Sequence, residues 1–342
     1  MINLITGITA LFLTYKPIAT KPVMQTIVPK QRRPIVVIGS INMDLVSRVP
    51  RLPAPGETVL GTAFAIIPGG KGANQAVAAA RLGGDVHLIG RVGQDDFGRQ
   101  LLAGLTSNGV STDHVLMTPG VPSGCAAIAV DDAGENSIVV VPGANGLVSP
   151  ADVDAAERSI AGAAVVVMQL EVPIETVRHA VALCRRLGVP TILDPAPAPP
   201  GGLPGELYDV DVFTPNQAEA AALLGMPEQV GRLSARDIAA RLLARGCRAV
   251  LLKLGAAGSM LGERDVSIVE VAPFPVRVVD TTAAGDAFTG ALAVAMAEGM
   301  PLTEAARFAN AAGALCCTQF GAQPALPTRA AVEKLWSGAF RR

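Results

Sequence analysis

Short apolar runs rich in β-branched residues recur along this chain, and each ends in glycine or a polar residue. The first is IVVIGS (Ile35–Ser40), and VHLIGRVG follows from residue 86. Later come VVVMQLE (Val165–Glu171), TILDPAPA, DVFTPN (Asp211–Asn216) and AVLLKLG (Ala249–Gly255). A continuous apolar run of this length predicts a strand buried on both faces. Between the runs lie helical segments, over Phe97–Asn108, Ile174–Leu187, Ala218–Leu224 and Ser234–Arg245. Strands separated by helices of about ten to fifteen residues predict a mostly parallel α/β sheet covered on both faces. Ser259–Val271 reads as a hairpin. VRVVDTTAAGDAFTG (residues 276–290) reads as a strand, a small-residue turn and a helix. No period repeats, which excludes a solenoid.

Two regions depart from that rhythm. Leu45–Ile67 alternates through VSRV and TVLGTAFAI around PRLPAPGE, and Ser123–Val141 holds a strand pair joined at Ala133-Gly134. They predict a small sheet off the main one, with strands from about 44–68 and 122–141, suited to close over a substrate. The other departure is residues 1–33, where an uncharged apolar run (Ile2–Tyr15) precedes a Lys- and Pro-containing stretch. It lacks the basic start of a signal peptide and is short for a bilayer span. A poorly ordered extension is expected there, with Met24 as an alternative initiator, ahead of one α/β domain over 34–338.

Composition narrows the class. With 342 residues, 50% apolar and only 17% charged, the chain can bury a large core and is far from disordered. A net charge of −1 gives no electrostatic reason to expect nucleic acid or an anionic membrane as partner. The five cysteines are scattered with no C-x-x-C, as expected of thiols in a reducing, cytoplasmic setting. His87, His114 and His179 show no ligand spacing.

The candidate chemistry concentrates at strand ends, where open parallel sheets bind ligands. Ala283, Ala284 and Gly285 have almost no side chain, so an anion can approach the backbone N–H groups and the positive end of the following helix. Asp286 in that mouth would repel a resting anion. It suits a phosphoryl group in transfer, with the carboxylate taking the proton of the attacking hydroxyl. Asn42 and Asp44 follow the first strand and suit sugar hydroxyls, although on this stretch alone an Asx turn is the favoured reading. Gly-Gly-Lys-Gly-x-Asn (Gly69–Asn74) opens a helix without Walker spacing, and a plain turn there would need neither Lys71 nor Asn74. Glu171, the N-x-x-E pair Asn216 and Glu219, and the glycine-spaced loop Gly255-Ala256-Ala257-Gly258 end three further strands. Asn216 and Glu219 could hold waters around Mg²⁺ or simply cap the next helix.

With those residues in view, the chain resembles the ribokinase and phosphofructokinase-B family of sugar kinases over nearly all of residues 34–336. The likeness runs through GSINMD, PAPGET, GGKGANQAVAAARLG, MQLEVP, LDPAPA, TPNQAEA, LKLGAAGS, DTTAAGDAFTGALA and FGAQPALP. It implies a three-layer α/β sandwich with a β lid that commonly pairs with the lid of a second subunit, giving a homodimer. By resemblance Asn42, Asp44, Gly70, Lys71, Asn74 and Glu171 bind ribose. Asp286 is the base, and Ala283, Ala284 and Gly285 form the anion hole. Asn216, Lys253, Gly255, Ala256, Ala257, Gly258, Gly285 and Asn310 line the ATP site, with Asn216 and Glu219 organising Mg²⁺. The family's monovalent cation, usually K⁺, maps to Asp280, Thr282, Cys316, Gln319, Gly321 and Ala325. The last position is often Ser in relatives, so a site here leans on backbone carbonyls.

The activity so implied is transfer of the γ-phosphoryl of ATP to the 5-hydroxyl of D-ribose. The competing expectations are a kinase for 2-deoxyribose or a nucleoside such as adenosine, and a non-catalytic sugar sensor on the same fold. A dinucleotide oxidoreductase is excluded, since Gly39 does not begin a G-x-G-x-x-G.

Overall fold

The computed structural model describes residues 33–226 and 233–338. The extension expected over residues 1–33 therefore lies outside the described residues, Arg33 excepted. Strand β1 (Ile35–Ile38) is buried along its length, with Ile35 and Val37 facing one layer of helices and Val36 and Ile38 the other. The chain then leaves through β2 (Asn42–Arg48) and β3 (Ala63–Gly69) and returns along helix α1 (Lys71–Arg81). It adds β4 (Val86–Gly93), α2 (Asp96–Ser107) and β5 (Val110–Thr118), then β6 (Gly124–Val130) and β7 (Asn136–Val141). Short helices α3 (Pro150–Ala155) and α4 (Glu157–Gly162) lead to β8 (Val165–Met168), α5 (Ile174–Leu187) and β9 (Thr191–Leu193). There follow β10 (Val212–Phe213), α6 (Gln217–Leu223), α7 (Ala235–Leu243), β11 (Ala249–Lys253), β12 (Ser259–Glu263) and β13 (Ile268–Val271). Helices α8 (Ala284–Ala297), α9 (Leu302–Cys316) and α10 (Arg329–Gly338) come last.

The main sheet runs β13-β12-β11-β10-β9-β8-β1-β4-β5, and every pairing is parallel except β11–β12 and β12–β13. Its two faces carry separate cores, one built with α1, α8 and α9 and the other with α5, α6 and α7. The order reverses between β1 and β8, which opens a crevice beyond their carboxyl ends. The second sheet, β3-β2-β6-β7, rises from that end. Its lowest row pairs Asn42 with Gly69 and Gly124, so the first residue of β2 stays buried while β7 is exposed throughout.

Two local expectations need correction. Residues 276–280, VRVVD, form no strand. Pro273 and Pro275 remove donors just upstream, and Val278 and Val279 face outward, the segment held by bonds from the Val279 and Asp280 N–H groups to the Cys317 carbonyl. The strand read over Asp211–Asn216 shrinks to β10, since Pro215 ends it. Edge strand β5 and helices α9 and α10 have no counterpart in the pattern reading. β5 (VSTDHVLMT) is half exposed and polar, because only one neighbour covers it.

One packing feature positions the site. Helices α1 and α8 touch at Gly290, where a Cβ would stand only 2.7 Å from the Gln75 carbonyl oxygen and from the Ala78 Cβ. That approach brings the first turn of α1 against the first turn of α8. Both helices are small-residue rich and almost wholly buried.

Candidate active site

Asp286 lies in the first turn of α8 and is buried. Its Oδ2 accepts from Asn74 Nδ2 at 2.9 Å and its Oδ1 from Gln75 Nε2 at 3.0 Å, both side chains coming from α1. Burial pushes this carboxyl above the ordinary range; Lys71 and the two amides pull it back, and Asp194 adds to the rise. The turn before it is unusual. Ala283 takes a left-handed conformation (φ 59°, ψ 9°), which a side chain disfavours by roughly 1–2 kcal/mol. With Ala283 so turned, the N–H groups of Gly285 and Asp286 have no carbonyl partner among the described residues.

The turn opens on a cavity of about 670 Å³. Lys71, Asn216, Glu219, Lys253, Gly255, Ala256, Gly258, Ala283, Ala284, Gly285, Asp286 and Asn310 all line it, as Asp194 does; Ala257 does not. The opposite wall is apolar, from Phe274, Pro275, Val276, Val278 and Ala314, and could take a flat base. Gly255–Ala257 forms a 3-10 turn. Gly258 beyond it has φ 85°, and a Cβ there would meet the Val271 carbonyl oxygen at 2.3 Å, so only glycine lets the loop pass. Asn310 spends its Nδ2 on the carbonyls of Val271 and Ala272, each at 3.1 Å, and so anchors the rim.

Asn216 and Glu219 form a reciprocal capping box on α6: Asn216 Oδ1 accepts from Glu219 N–H, and Glu219 Oε2 from Asn216 N–H, each at 2.8 Å. The cap therefore exists and lines the cavity at once. Burial raises the Glu219 carboxyl, Lys253 lowers it, and Asp194 raises it further. Lys253 Nζ pairs with Asp194 Oδ1 at 2.8 Å and stands beside the anion turn, 3.4 Å from where a Gly285 Cβ would be. Three carboxylates thus surround the cavity against two lysines, an excess a divalent cation would neutralise. Lys71 is the second lysine. Burial opposes its charge, but Asp286, Asp194, Glu171 and Glu219 outweigh that and hold the ammonium protonated. Among the described residues none lies within ion-pair distance of it.

The remaining predicted sugar residues, Asn42, Asp44, Gly70, Asn74 and Glu171, do not line that cavity; Glu171 and Asn74 are joined to it through Lys71 and Asp286. Glu171 Oε2 accepts from Ser40 Oγ at 2.5 Å and from Lys71 N–H at 3.1 Å. Asn42 Oδ1 accepts from Asn145 Nδ2 at 2.7 Å, which also fixes the Ile41 backbone. Asp44 has no such partner among the described residues. Its carboxylate occupies space that a Gly69 Cβ would fill, and Gly70 beside it turns with φ 87°. Burial, then Glu171, then Asp286 push the Asp44 carboxyl up to about 7.

The predicted cation residues come from the Asp280–Thr282 loop, the end of α9 at Cys316 and the loop that follows it. Asp280 accepts from Thr282 N–H (2.9 Å), Thr282 Oγ1 (2.7 Å) and Gly321 N–H (2.9 Å); burial alone would raise it, and these donors hold it below the ordinary value. Cys316 Sγ donates to the Thr282 carbonyl at 3.5 Å, and Gln319 N–H to the Cys316 carbonyl. Ala325 is buried in a 3-10 turn of the second loop. Among the described residues no cluster of three or more His, Cys, Asp or Glu could hold a metal.

Pattern reading missed Ser40, Gln75, Asn145, Gln169 and Asp194. Asp194 ends the TILD run as Glu171 follows VVVMQL, so the strand-end signal was there. Gln75 stands next to Asn74, and only the contact of α1 with α8 shows that both face one carboxylate.

The sequence and structure of the chain are similar to those of known sugar kinases. A model of the pfkB family of carbohydrate kinases matches residues 32–329. Ribokinase of Bacillus subtilis is 44% identical over 307 residues, covering 89% of this chain and all of that protein. Deoxyribokinase of Salmonella typhi is 37% identical over 294 residues, covering 86% and 95%. A structure of Arabidopsis thaliana ribokinase complexed with ribose and ATP superposes with a TM-score of 0.79 at 36% identity, covering 89% of this chain and 98% of that one. The chain belongs to the pfkB family of carbohydrate kinases.

Proposed function

We propose that this kinase transfers the γ-phosphoryl of ATP to the 5-hydroxyl of D-ribose, releasing D-ribose 5-phosphate and ADP. The observation that carries the chemistry is Asp286. It is a buried carboxylate, aimed by two amides, at a helix start where the Gly285 and Asp286 N–H groups meet no carbonyl among the described residues. The sugar sits between Asp44, Asn74, Glu171 and Lys71 with Asn42 and Gly70 behind it, and its 5-hydroxyl faces Asp286. As the hydroxyl oxygen bonds to phosphorus, its proton passes to Asp286 and the bond to the ADP oxygen breaks. The N–H groups of the Ala283–Gly285 turn, with Lys71 and Lys253, hold the charge on the transferring group. The adenine end lies along Gly255–Gly258 and Asn310.

Two features favour ribose over 2-deoxyribose. The lone Asp44 carboxylate can accept from two neighbouring hydroxyls, and Asn74 Oδ1 is buried without a partner. A site built for a hydroxyl discriminates against the sugar that lacks it.

Mg²⁺ fits the acidic side of the cavity, where Glu219 and Asn216 would hold its waters; it would neutralise phosphate charge. K⁺ fits the Asp280–Thr282 and Gln319–Ala325 loops, with Cys316 and Gly321 between them, through an ionised carboxylate, a hydroxyl and backbone carbonyls. The small sheet acts as the lid and pairs with its counterpart in a homodimer, supported by exposed Phe64, Ile66 and Ile138–Val141. The described helices include none long and apolar enough to cross a membrane, and a cytoplasmic location is proposed.

The test is ADP release with MgATP and D-ribose, 2-deoxyribose, fructose or adenosine, with and without K⁺. Ribose turnover stimulated by K⁺ is expected. A higher kcat/KM for 2-deoxyribose would move the specificity, and ribose binding with no turnover on any sugar would favour a sensor.

A further inference from the structure

We infer that Gln75 is a positioning residue for phosphoryl transfer: its amide ties the Asp286 carboxylate to the Asp194–Lys253 ion pair, so the base is aimed from the nucleotide side of the cavity. The inference rests on Asp286 being the base. Gln75 is fully buried in the first turns of α1. Its Nε2 carries two hydrogens and stands 3.0 Å from Asp286 Oδ1 and 3.0 Å from Asp194 Oδ2. Its Oε1 accepts from Gln169 Nε2, just past β8, at 2.6 Å. Gln169 thereby fixes which way the amide faces. A flipped Gln75 would turn its oxygen onto two carboxylates and its NH₂ onto another NH₂.

These contacts close a ring. Lys253 stands beside the Gly285 turn and pairs with Asp194 Oδ1, and Thr289 Oγ1 of α8 steadies Asp194 Oδ2 at 3.4 Å. Asp194 holds Gln75, Gln75 holds Asp286, and Asp286 belongs to the same turn of α8. An anion drawn to the turn meets Lys253 on one side and the base on the other, with Gln75 as the link between them. The charged or titratable groups facing Asp286 are Lys71 from α1, Asp194 from the end of β9, Asp44 from β2 and Cys316 from α9. Glu171, Glu219 and Lys253 act on it at one remove, through Lys71 and Asp194. Of the neutral neighbours among the described residues, Gln75 alone donates to both carboxylates.

The experiment is the pH dependence of kcat for Gln75→Met, which keeps the volume and removes the amide. Its kcat at pH 7 is expected to fall roughly tenfold to a hundredfold, as for a misaimed catalytic group, with both KM values within about threefold. The acid limb should move to higher pH by roughly one unit, because Asp286 loses a donor to its ionised form and still faces Asp194. A folded Gln75→Met whose kcat–pH curve overlays the wild type, with loss only in melting temperature, would overturn the inference. If that variant does not fold, Gln169→Met replaces it: it reaches Gln75 but neither carboxylate. The same shift, smaller, is expected there, and an unmoved limb overturns the inference equally. Asp286→Asn run alongside separates the two ideas, since retained turnover in that variant removes the base assignment itself.

Discussion

Asp286 on α8 and Asp44 on β2 lie close enough to repel one another, and the protein treats them differently. Asp286 grows from the helix layer of the main sheet, and each of its oxygens has an amide donor. Asp44 grows from the small sheet and has burial and two like charges for company, which leave it near neutrality at about 7. The first carboxylate is preorganised before any ligand arrives. The second is left for the ligand to complete. Chemistry is thus built into the rigid layer, where reorientation during reaction would be costly. Recognition is placed on a sheet whose outer strand is exposed along its whole length.

The contrast can be broken most forcefully at the base. Asp286→Asn should lower kcat by about 10²–10⁴-fold with little change in the KM for ATP, measured by steady-state ADP release. Near-normal turnover would place the proton elsewhere. Asp44→Asn should act the other way round, raising the ribose KM well above its effect on kcat, because one of two hydroxyl acceptors is lost. A variant that lost kcat alone would erase the distinction between the two carboxylates.

A smaller effect sharpens the same point without mutation. A carboxyl raised to about 7 accepts from two hydroxyls with both oxygens when ionised, and with only one when protonated. The ribose KM should therefore rise roughly tenfold from pH 8 to pH 6, following the ionised fraction. Stability has the opposite sign. The folded state disfavours the Asp44 anion, so its cost to stability is full above pH 7, shrinks as pH falls from 7 toward about 4, and is gone below that. Asp44→Asn should raise the melting temperature more at pH 8 than at pH 5. The smallest effect belongs to the anion turn. Ala283→Gly should relieve the left-handed strain and stabilise the fold by about 1 kcal/mol or less, read by denaturant titration.

Much of this was legible in residue order. The buried strands from Ile35, Val165 and Ala249 announce themselves by unbroken apolar runs, because both faces of a parallel strand are covered. Their polar last residues name the edge where ligands bind. The capping alternative for Asn216 and Glu219 was also written in the N-x-x-E spacing, and the structure shows the cap lining the cavity. What stayed hidden depends on contacts between distant segments. Edge strand β5 has one neighbour and no alternation to betray it. The Val276–Asp280 run has strand composition but sits behind two prolines. Gln75, Gln169 and Asp194 are ordinary polar residues in order of sequence, and they become a network only where Gly290 lets α1 and α8 meet.

The most direct test of the proposed reaction is proton-coupled phosphorus NMR of the product formed by the purified protein from MgATP and D-ribose. Transfer to the 5-hydroxyl attaches phosphorus beside a CH₂ group, so a triplet is expected to grow at the rate of ADP release. A doublet from phosphate at a CH–O position, or ATP consumed with phosphorus appearing only as inorganic phosphate, would contradict the assignment of Asp286 as base toward the 5-hydroxyl.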